Sequence, residues 1–202
     1  MLFANNSNNS NAKKLFDKGN QAYENKNFKE ALNFYKKSCE LGFKESCRAV
    51  GSIYFEGKAD VNKDYHQSLN FEKKACELGS GLSCVRVGAM YKYGKGAVID
   101  MQKAFIYFQK GLELKEPDAY GFLANLYLDG KYVTQDYHRA FAYATKGCKL
   151  QSTLSCSALG FMYENGYGVG KDLEQASVYY QRACKLGSEN GCEKYKELVN
   201  QR

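Results

Sequence analysis

Small and apolar residues recur at helical spacing along most of the chain. Leu15, Gly19 and Tyr23 fall on one stripe of a first helix, and a second stripe runs from Ala31 to Ser38. Steps of three and four residues are typical of a helix that buries one face. No alternation of apolar and polar residues is long enough to indicate a strand. The pattern therefore predicts an all-α fold built from pairs of helices.

The helical pattern repeats with a period of about 36 residues, and paired cysteines mark most of the repeats. Each pair is a cysteine, seven residues and a second cysteine: Cys39–Cys47, Cys76–Cys84, Cys148–Cys156 and Cys184–Cys192. The period places a further pair near 112 and 120, where the chain has Leu112 and Tyr120. Because both cysteines of that pair are absent together, the two members of each pair are predicted to be bonded to each other.

Zinc coordination and reduced buried thiols are the alternatives to disulfides. Zinc sites favour cysteines two to four residues apart with histidines nearby, and seven intervening residues do not fit that spacing. Disulfides are the preferred interpretation, and no metal or other cofactor is predicted. Each bridge would join the end of one second helix to the start of the next first helix, where a tight corner brings two Cα atoms within disulfide range.

Repeat boundaries placed at the second cysteine divide the chain into five helical hairpins and two end segments. The expected hairpins are 12–46, 47–83, 84–119, 120–155 and 156–191. Residues 1–11 are rich in Asn and Ser and are expected to be a disordered tail or a signal-peptide remnant. Residues 192–202 are expected to form a polar C-terminal capping helix. The expected N-caps of the second helices are Asp64, Asp100, Asp136 and Asp172.

The segment 160–176, Gly-Phe-Met-Tyr-Glu-Asn-Gly-Tyr-Gly-Val-Gly-Lys-Asp-Leu-Glu-Gln-Ala, resembles a Sel1-like repeat, the longer relative of the tetratricopeptide repeat. The likeness covers about residues 12–200, although Ala124 stands where the pattern has glycine. The cysteine pairs resemble those of the secreted Helicobacter cysteine-rich proteins. This resemblance implies a right-handed α/α superhelical solenoid, stapled by disulfides, whose first helices line a concave face.

The resemblance implies two functions of different classes. Solenoids of this kind bind proteins or extended peptides, while the cysteine-rich family is associated with penicillin binding and weak β-lactamase activity. Ser10-Asn11-Ala12-Lys13 matches the Ser-x-x-Lys motif of serine β-lactamases by letters, but the Ser-Asp-Asn and Lys-Thr-Gly motifs are missing. We expect a peptide-binding module with no catalytic residue, and a β-lactam or cell-wall fragment is the alternative ligand.

Certain positions on the first helices are expected to face the concave groove instead of the core. They are Asn20, Tyr23, Arg48, Ser52, Phe55, Lys92, Tyr93, Asn125, Asp129, Phe161 and Asn165. Amide, aromatic and charged groups of this kind can bind the backbone and alternate side chains of an extended peptide. Simple exposure to water is the alternative explanation for any one of them.

Charge and cysteine usage limit the partners and the compartment. The chain has 29 Lys+Arg and 22 Asp+Glu, a formal net charge of +7, and the basic residues are scattered. Nucleic acid is therefore not an expected partner, and no apolar stretch approaches the roughly 18–20 residues that span a bilayer. Paired cysteines favour an oxidising compartment, and Leu-Phe-Ala at 2–4 resembles the end of a signal peptide. We expect a secreted or periplasmic protein with a host or cell-envelope partner.

The two histidines occupy equivalent positions of different repeats. His66 and His138 each follow the tyrosine after an expected aspartate cap, and they are 72 residues apart. Repeat-equivalent positions are expected to be structural surface positions, so a shared catalytic or metal site is not predicted.

Overall fold

The computed structural model describes the backbone of residues 2–200 and the side chains of residues 9–200. Within that part, the chain forms eleven α-helices and no strand. They are α1 (Leu2–Glu24), α2 (Phe28–Glu40), α3 (Lys44–Glu56), α4 (Tyr65–Glu77), α5 (Gly81–Tyr93), α6 (Met101–Glu113), α7 (Pro117–Asp129), α8 (Tyr137–Lys149), α9 (Thr153–Asn165), α10 (Leu173–Lys185) and α11 (Glu189–Asn200). Helices α1, α3, α5, α7 and α9 are the first helices of five hairpins. The all-α class predicted from the periodicity is confirmed.

The chain divides into two compact units. Unit 1 is Met1–Leu114 with α1 to α6, and unit 2 is Lys115–Arg202 with α7 to α11. Inside each unit every helix packs against the next helix in sequence, and in unit 2 α7 also packs against α9. The division falls at the repeat corner that has no cysteine pair.

Capping side chains set the ends of the helices, as predicted. Four aspartates each accept a hydrogen bond of 2.9 Å from a backbone N–H in the first turn of a second helix. They are Asp64, Asp100, Asp136 and Asp172. These bonds satisfy donors that have no partner inside the helix. In these four hairpins the loop is thereby held in a fixed position relative to the start of the second helix.

Glycine allows the two helices of a hairpin to approach closely. A Cβ atom on three of the first-helix glycines would lie only 2.5–2.6 Å from a ring of the second helix. The pairs are Gly19 with Tyr35, Gly88 with Phe108, and Gly160 with Tyr180. In the fourth hairpin Ala124 replaces the glycine, and the ring position holds the small residue Ala144. Small and large residues therefore compensate each other across the hairpin.

Four disulfides connect the hairpins, in the pairing predicted from the sequence. Each joins the last turn of a second helix to the first turn of the following helix, with Cα atoms 4.5–4.7 Å apart. No cysteine is free among the described residues. The chain-entropy model assigns about 2.5 kcal/mol of stability to a bridge that closes so short a loop. Two bridges lie in unit 1 and two in unit 2.

The end segments differ in part from the expectation. Helix α1 begins at Leu2, so residues 9–11 are helical where a disordered tail was expected, and side chains of residues 1–8 lie outside the described part. Extending an existing helix adds one hydrogen bond per residue without a new nucleus, which offsets the modest helix propensity of Asn and Ser. Helix α11 is Glu189–Asn200, and Gln201 and Arg202 lie outside the described residues.

Among the residues that the structure describes, no helix is both long enough and apolar enough to cross a bilayer.

Candidate functional site

Unit 1 carries two adjoining cavities against its first helices. The first, the Arg48 cavity, has a volume of about 390 Å³ and is lined by Phe16, Asn20, Tyr23, Tyr35, Glu45, Arg48, Ala49, Ser52, Ile53 and Glu56. The second, the Glu72 cavity, has a volume of about 420 Å³ and is lined by Ser52, Phe55, Glu56, Ser68, Glu72, Arg86, Ala89, Met90, Tyr93 and Lys95. Ser52 and Glu56 line both cavities, so the two adjoin at these residues; together they are called here the first-helix surface of unit 1.

The first-helix surface of unit 1 collects most of the residues that the sequence singled out there. Six of them line its two cavities: Asn20, Tyr23, Arg48, Ser52, Phe55 and Tyr93. Phe55 and Tyr93 are 40% and 58% exposed, so their rings are available at the rim. The seventh, Lys92, places its ammonium group 5.1 Å from the centre of the Tyr93 ring.

Unit 2 has a smaller cavity between α7, α9 and α11. This Asn125 cavity has a volume of about 320 Å³, and its lining includes Asn125, Asp129 and Phe161, all singled out from the sequence. Asn165, the fourth such residue in unit 2, donates a hydrogen bond of 2.8 Å to the Phe161 carbonyl. The Asn165 side chain is thus engaged at the C-terminal end of its own helix.

Hydrogen bonding fixes the side chains that line the Arg48 cavity. The buried Tyr35 hydroxyl donates to Asn20 Oδ1 at 2.8 Å, which holds the Asn20 amide in one orientation. Burial, followed by the nearby Tyr23 and Glu24, raises the pKa of Tyr35 to about 12. Tyr35 therefore remains a neutral donor at physiological pH, and the Asn20 side chain is preorganised.

An ion pair between a buried carboxylate and a partly exposed guanidinium forms the floor of the Glu72 cavity. Glu72 lies on α4 with a side chain only 1% exposed, and Arg86 of α5 donates to its Oε1 at 2.9 Å. The same guanidinium nitrogen of Arg86 donates to Ser52 on α3. One arginine thus connects three helices, and it holds Ser52, one of the residues expected to contact a ligand.

Burial dominates the protonation of Glu72. The loss of solvation raises the pKa of its carboxyl group, while Ser83, Arg86 and Arg48 act in the opposite direction. Oε2 of Glu72 and Oγ of Ser68 are both buried and make no hydrogen bond of standard geometry. Polar atoms in that state are rare and costly in folded proteins.

The sequence pattern did not identify Glu72 or Arg86 as site residues. A signal for Glu72 does exist, because the equivalent positions of the first, third and fifth hairpins hold Tyr35, Phe108 and Tyr180. A carboxylate at this position is a departure from the rings of these three hairpins, and the fourth hairpin has the small residue Ala144 there. Its partner Arg86 lies in the next hairpin, so only the packed structure shows that the two residues meet.

The remaining sequence candidates do not form a site. Ser10 and Lys13 of the Ser-x-x-Lys match are both exposed on α1. His66 and His138 are exposed in the first turns of α4 and α8. Within the described residues, no group of three His, Cys, Asp or Glu side chains is arranged to hold a metal ion.

Comparison with known families gives an independent match to the repeats. The family model described as the Sel1 repeat matches residues 12–43, 44–80, 81–115, 117–152 and 153–188. The last four of these repeats begin three residues before the boundaries that the cysteines suggested, at the first residues of α3, α5, α7 and α9, and the first repeat begins at residue 12 in both divisions. No curated protein matches the chain significantly.

Solved structures with the same fold come from several bacteria. A Sel1 repeat protein from Oxalobacter formigenes has 27% identity and a TM-score of 0.77, over 87% of this chain and 71% of that one. The Helicobacter pylori cysteine rich protein B has 34% identity and a TM-score of 0.51, over 65% of this chain and 94% of that one. The antigen c5321 of uropathogenic Escherichia coli, with an SLR fold, has 22% identity and a TM-score of 0.78; the match covers 94% of this chain and 41% of the antigen.

Proposed function

Because the chain belongs to the Sel1 repeat family, we propose that it is a protein–protein interaction module that binds extended peptide segments on its first helices. The first-helix surface of unit 1, with its two adjoining cavities, carries this proposal. It joins an amide, a guanidinium and two exposed rings along one side of α1, α3 and α5. Amides bind peptide backbone, and aromatic walls accept alternate side chains.

Several observations support recognition over solvation as the role of these residues. Asn20 and Ser52 are held by Tyr35 and Arg86, so their orientations are fixed before a ligand arrives. Preorganised groups lose less conformational entropy on binding than free surface side chains do. Cavities of about 390 and 420 Å³ lie within the range of small-ligand pockets and suit individual peptide side chains.

The proposed location is outside the reducing cytoplasm, in the periplasm or the extracellular medium. All cysteines of the chain belong to four disulfides, and such bridges persist in oxidising compartments. A partner there would be a cell-envelope or host protein that offers an exposed chain segment.

Peptide selection followed by variant analysis tests the proposal. A displayed random peptide library is selected on the oxidised protein, and the affinity of a selected peptide is measured by fluorescence anisotropy. Phe55→Ala and Arg48→Ala are expected to weaken binding roughly tenfold or more, as truncation of an interface anchor does. Gln109→Ala, an exposed change on the second helix α6, is the matched control and should leave the affinity unchanged. Equal affinity of all three variants would refute binding at this surface.

Hydrolysis of a β-lactam is the alternative function that the family resemblance implies. Turnover of nitrocefin by purified oxidised protein, together with a Ser10→Ala variant, separates that activity from peptide binding. We expect no turnover above a preparation purified identically from cells without the gene. Turnover that is lost in the Ser10→Ala variant would favour the hydrolase.

A further inference from the structure

The Glu72 cavity exists where the second hairpin departs from its neighbours. Tyr35, Phe108 and Tyr180 fill the corresponding position with a ring packed on a glycine. In the second hairpin, Glu72 occupies this position, and its aliphatic stem lies against Gly51. A carboxylate takes less volume than a phenol ring, and the cavity here, at about 420 Å³, is larger than the cavities of about 390 Å³ and 320 Å³ that Tyr35 and Tyr180 line.

Two buried oxygen atoms in the floor of this space have unused hydrogen-bonding capacity. Glu72 uses Oε1 for Arg86 at 2.9 Å, while Glu72 Oε2 and Ser68 Oγ are buried without a hydrogen bond of standard geometry. The two residues are four apart on α4 and so lie on the same face of the helix. A ligand hydroxyl that reached this floor would meet two unsatisfied oxygen atoms.

The walls of the cavity are apolar and aromatic. Phe55 and Tyr93 line the cavity and are partly exposed. Met90, a buried residue of α5, lines it as well. Rings and a thioether pack well on the faces and edges of another aromatic ring. The volume of about 420 Å³ is large enough to hold one aromatic ring with its first methylene group.

We propose that the Glu72 cavity binds a tyrosine side chain of the partner peptide, with the phenol ring between Phe55 and Tyr93 and its hydroxyl donated to Glu72 Oε2. The proposal rests on the peptide-binding function and specifies one side chain of the ligand. A tyrosine–glutamate hydrogen bond of this type occurs within the chain in the fifth hairpin, where Tyr180, at the position equivalent to Glu72, donates its hydroxyl to Glu164 Oε2 at 2.7 Å. In the second hairpin the chain supplies the carboxylate, and the partner supplies the phenol.

The charges around the cavity argue against other side chains. A lysine would satisfy Glu72 Oε2, but Arg86 already neutralises this carboxylate and Lys95 lines the same cavity. A second cation would therefore meet repulsion with little compensating attraction. A phenylalanine would fill the space but would leave both oxygen atoms without a donor.

Side-chain analogues test the cavity without any peptide. Protein-observed NMR titrations compare p-cresol, toluene and n-butylamine, which represent tyrosine, phenylalanine and lysine. We expect p-cresol to shift the signals of Phe55, Met90 and Tyr93 saturably, with an affinity about tenfold above that of toluene. n-Butylamine is expected to cause no saturable shift at these residues.

Two variants and one control locate the binding. Glu72→Tyr fills the space with the residue that other hairpins use, so p-cresol binding should be lost. Glu77→Tyr, an exposed change on the same helix, should leave it unchanged. If circular dichroism shows that Glu72→Tyr is not folded, Phe55→Ala is used instead. This variant should weaken the binding of p-cresol several-fold. Equal affinity of p-cresol and toluene, or unchanged binding in the folded cavity variant, would overturn the proposal.

The outcomes separate this site from the wider peptide function. If p-cresol binds as expected and no selected peptide binds the first-helix surface, the cavity stands and the peptide function fails. If selected peptides bind and a Tyr→Phe change in each leaves its affinity unchanged, the peptide function stands and the tyrosine site is refuted.

Discussion

At the scale of single residues, the hairpins depend on matched sizes at one crossing. Where the second helix carries a ring, the first helix carries glycine, as in Gly160 with Tyr180. Where the second helix carries Ala144, the first helix carries Ala124. Protein interiors are packed so closely that a single misplaced methyl group lowers the stability of the fold.

Gly160→Ala tests this match. The added Cβ would lie 2.6 Å from the Tyr180 ring, so the ring or the helix must move, and we expect a loss of about 1–3 kcal/mol in the free energy of unfolding. Denaturant titration monitored by circular dichroism measures it. Gly170→Ala is the control, because its Cβ would meet no atom within 4 Å. Equal stability of the two variants would contradict the steric explanation.

Glu72 gives the stability an unusual dependence on pH. Burial raises the pKa of its carboxyl group above the ordinary 4.5, so between the unfolded and folded pKa values the folded state binds more protons. Stability therefore falls as pH rises through that interval, and the loss is complete above the folded pKa. Glu72→Gln removes the ionisation and keeps the size of the side chain. The stability of Glu72→Gln relative to the parent protein should rise between pH 4 and pH 8.

Chemical denaturation of both proteins at several pH values measures this difference. A relative stability of Glu72→Gln that falls with rising pH would mean that the attraction of Arg86 outweighs the loss of solvation. Glu77→Gln, on the exposed end of the same helix, is the control and should show no comparable trend.

At the scale of elements, the turn after each second helix needs one residue with positive φ. Gly42, Gly79 and Gly187 supply it in three hairpins, whereas Lys115 and Gln151 adopt φ of 59° and 65° without being glycine. A residue with a Cβ atom pays roughly 1–2 kcal/mol for this conformation. At Gln151 the capping Ser152 and the Cys148–Cys156 disulfide hold this conformation, whereas Lys115 lies at the corner that has neither a disulfide nor a capping serine.

Gln151→Gly should therefore stabilise the protein by about 1 kcal/mol. The converse change, Gly79→Ala, should destabilise it by a similar amount, because no atom lies within 4 Å of the added Cβ and only the backbone conformation at φ +86° is affected. Thermal and denaturant unfolding report both variants. The changes in the free energy of unfolding of the two variants must have opposite signs. A destabilised Gln151→Gly variant would contradict this explanation.

The four disulfides differ in their protection from solvent. Cys184 and Cys192 are only partly buried, whereas the other six cysteines are buried. Exchange depends on access of the attacking group to sulfur, so limiting reductant should open the bridge between α10 and α11 first. Alkylation and peptide mapping after partial reduction should place the first labels at 184 and 192. First labels at 76 and 84 would contradict this order.

Local signals explain why most elements could be predicted from the sequence. Asp136 caps its helix through atoms three residues away, and Cys148 bonds to a partner eight residues away, so periodicity and spacing suffice. The Glu72 cavity depends on Arg86 and Ser52, which other helices bring to it. A departure at position 72 is visible in the repeat, but whether the chain fills the space is decided by tertiary packing.

At the scale of the whole molecule, the chain is a Sel1 repeat protein of eleven described helices in two compact units. Each unit has two disulfides and its own cavity against the first helices. Three second helices carry the inward-packed rings of Tyr35, Phe108 and Tyr180, and first helices carry amide, charged and aromatic groups that line the cavities. This arrangement supports the proposal that the first helices recognise a partner.

Amide hydrogen exchange of the protein with and without a selected peptide tests that claim most directly. The account predicts new protection in the first helices of unit 1, centred on Arg48 to Phe55 of α3 and reaching Tyr93 of α5, with little change in α2, α4 and α6. Protection confined to the second helices or to the loops would contradict it.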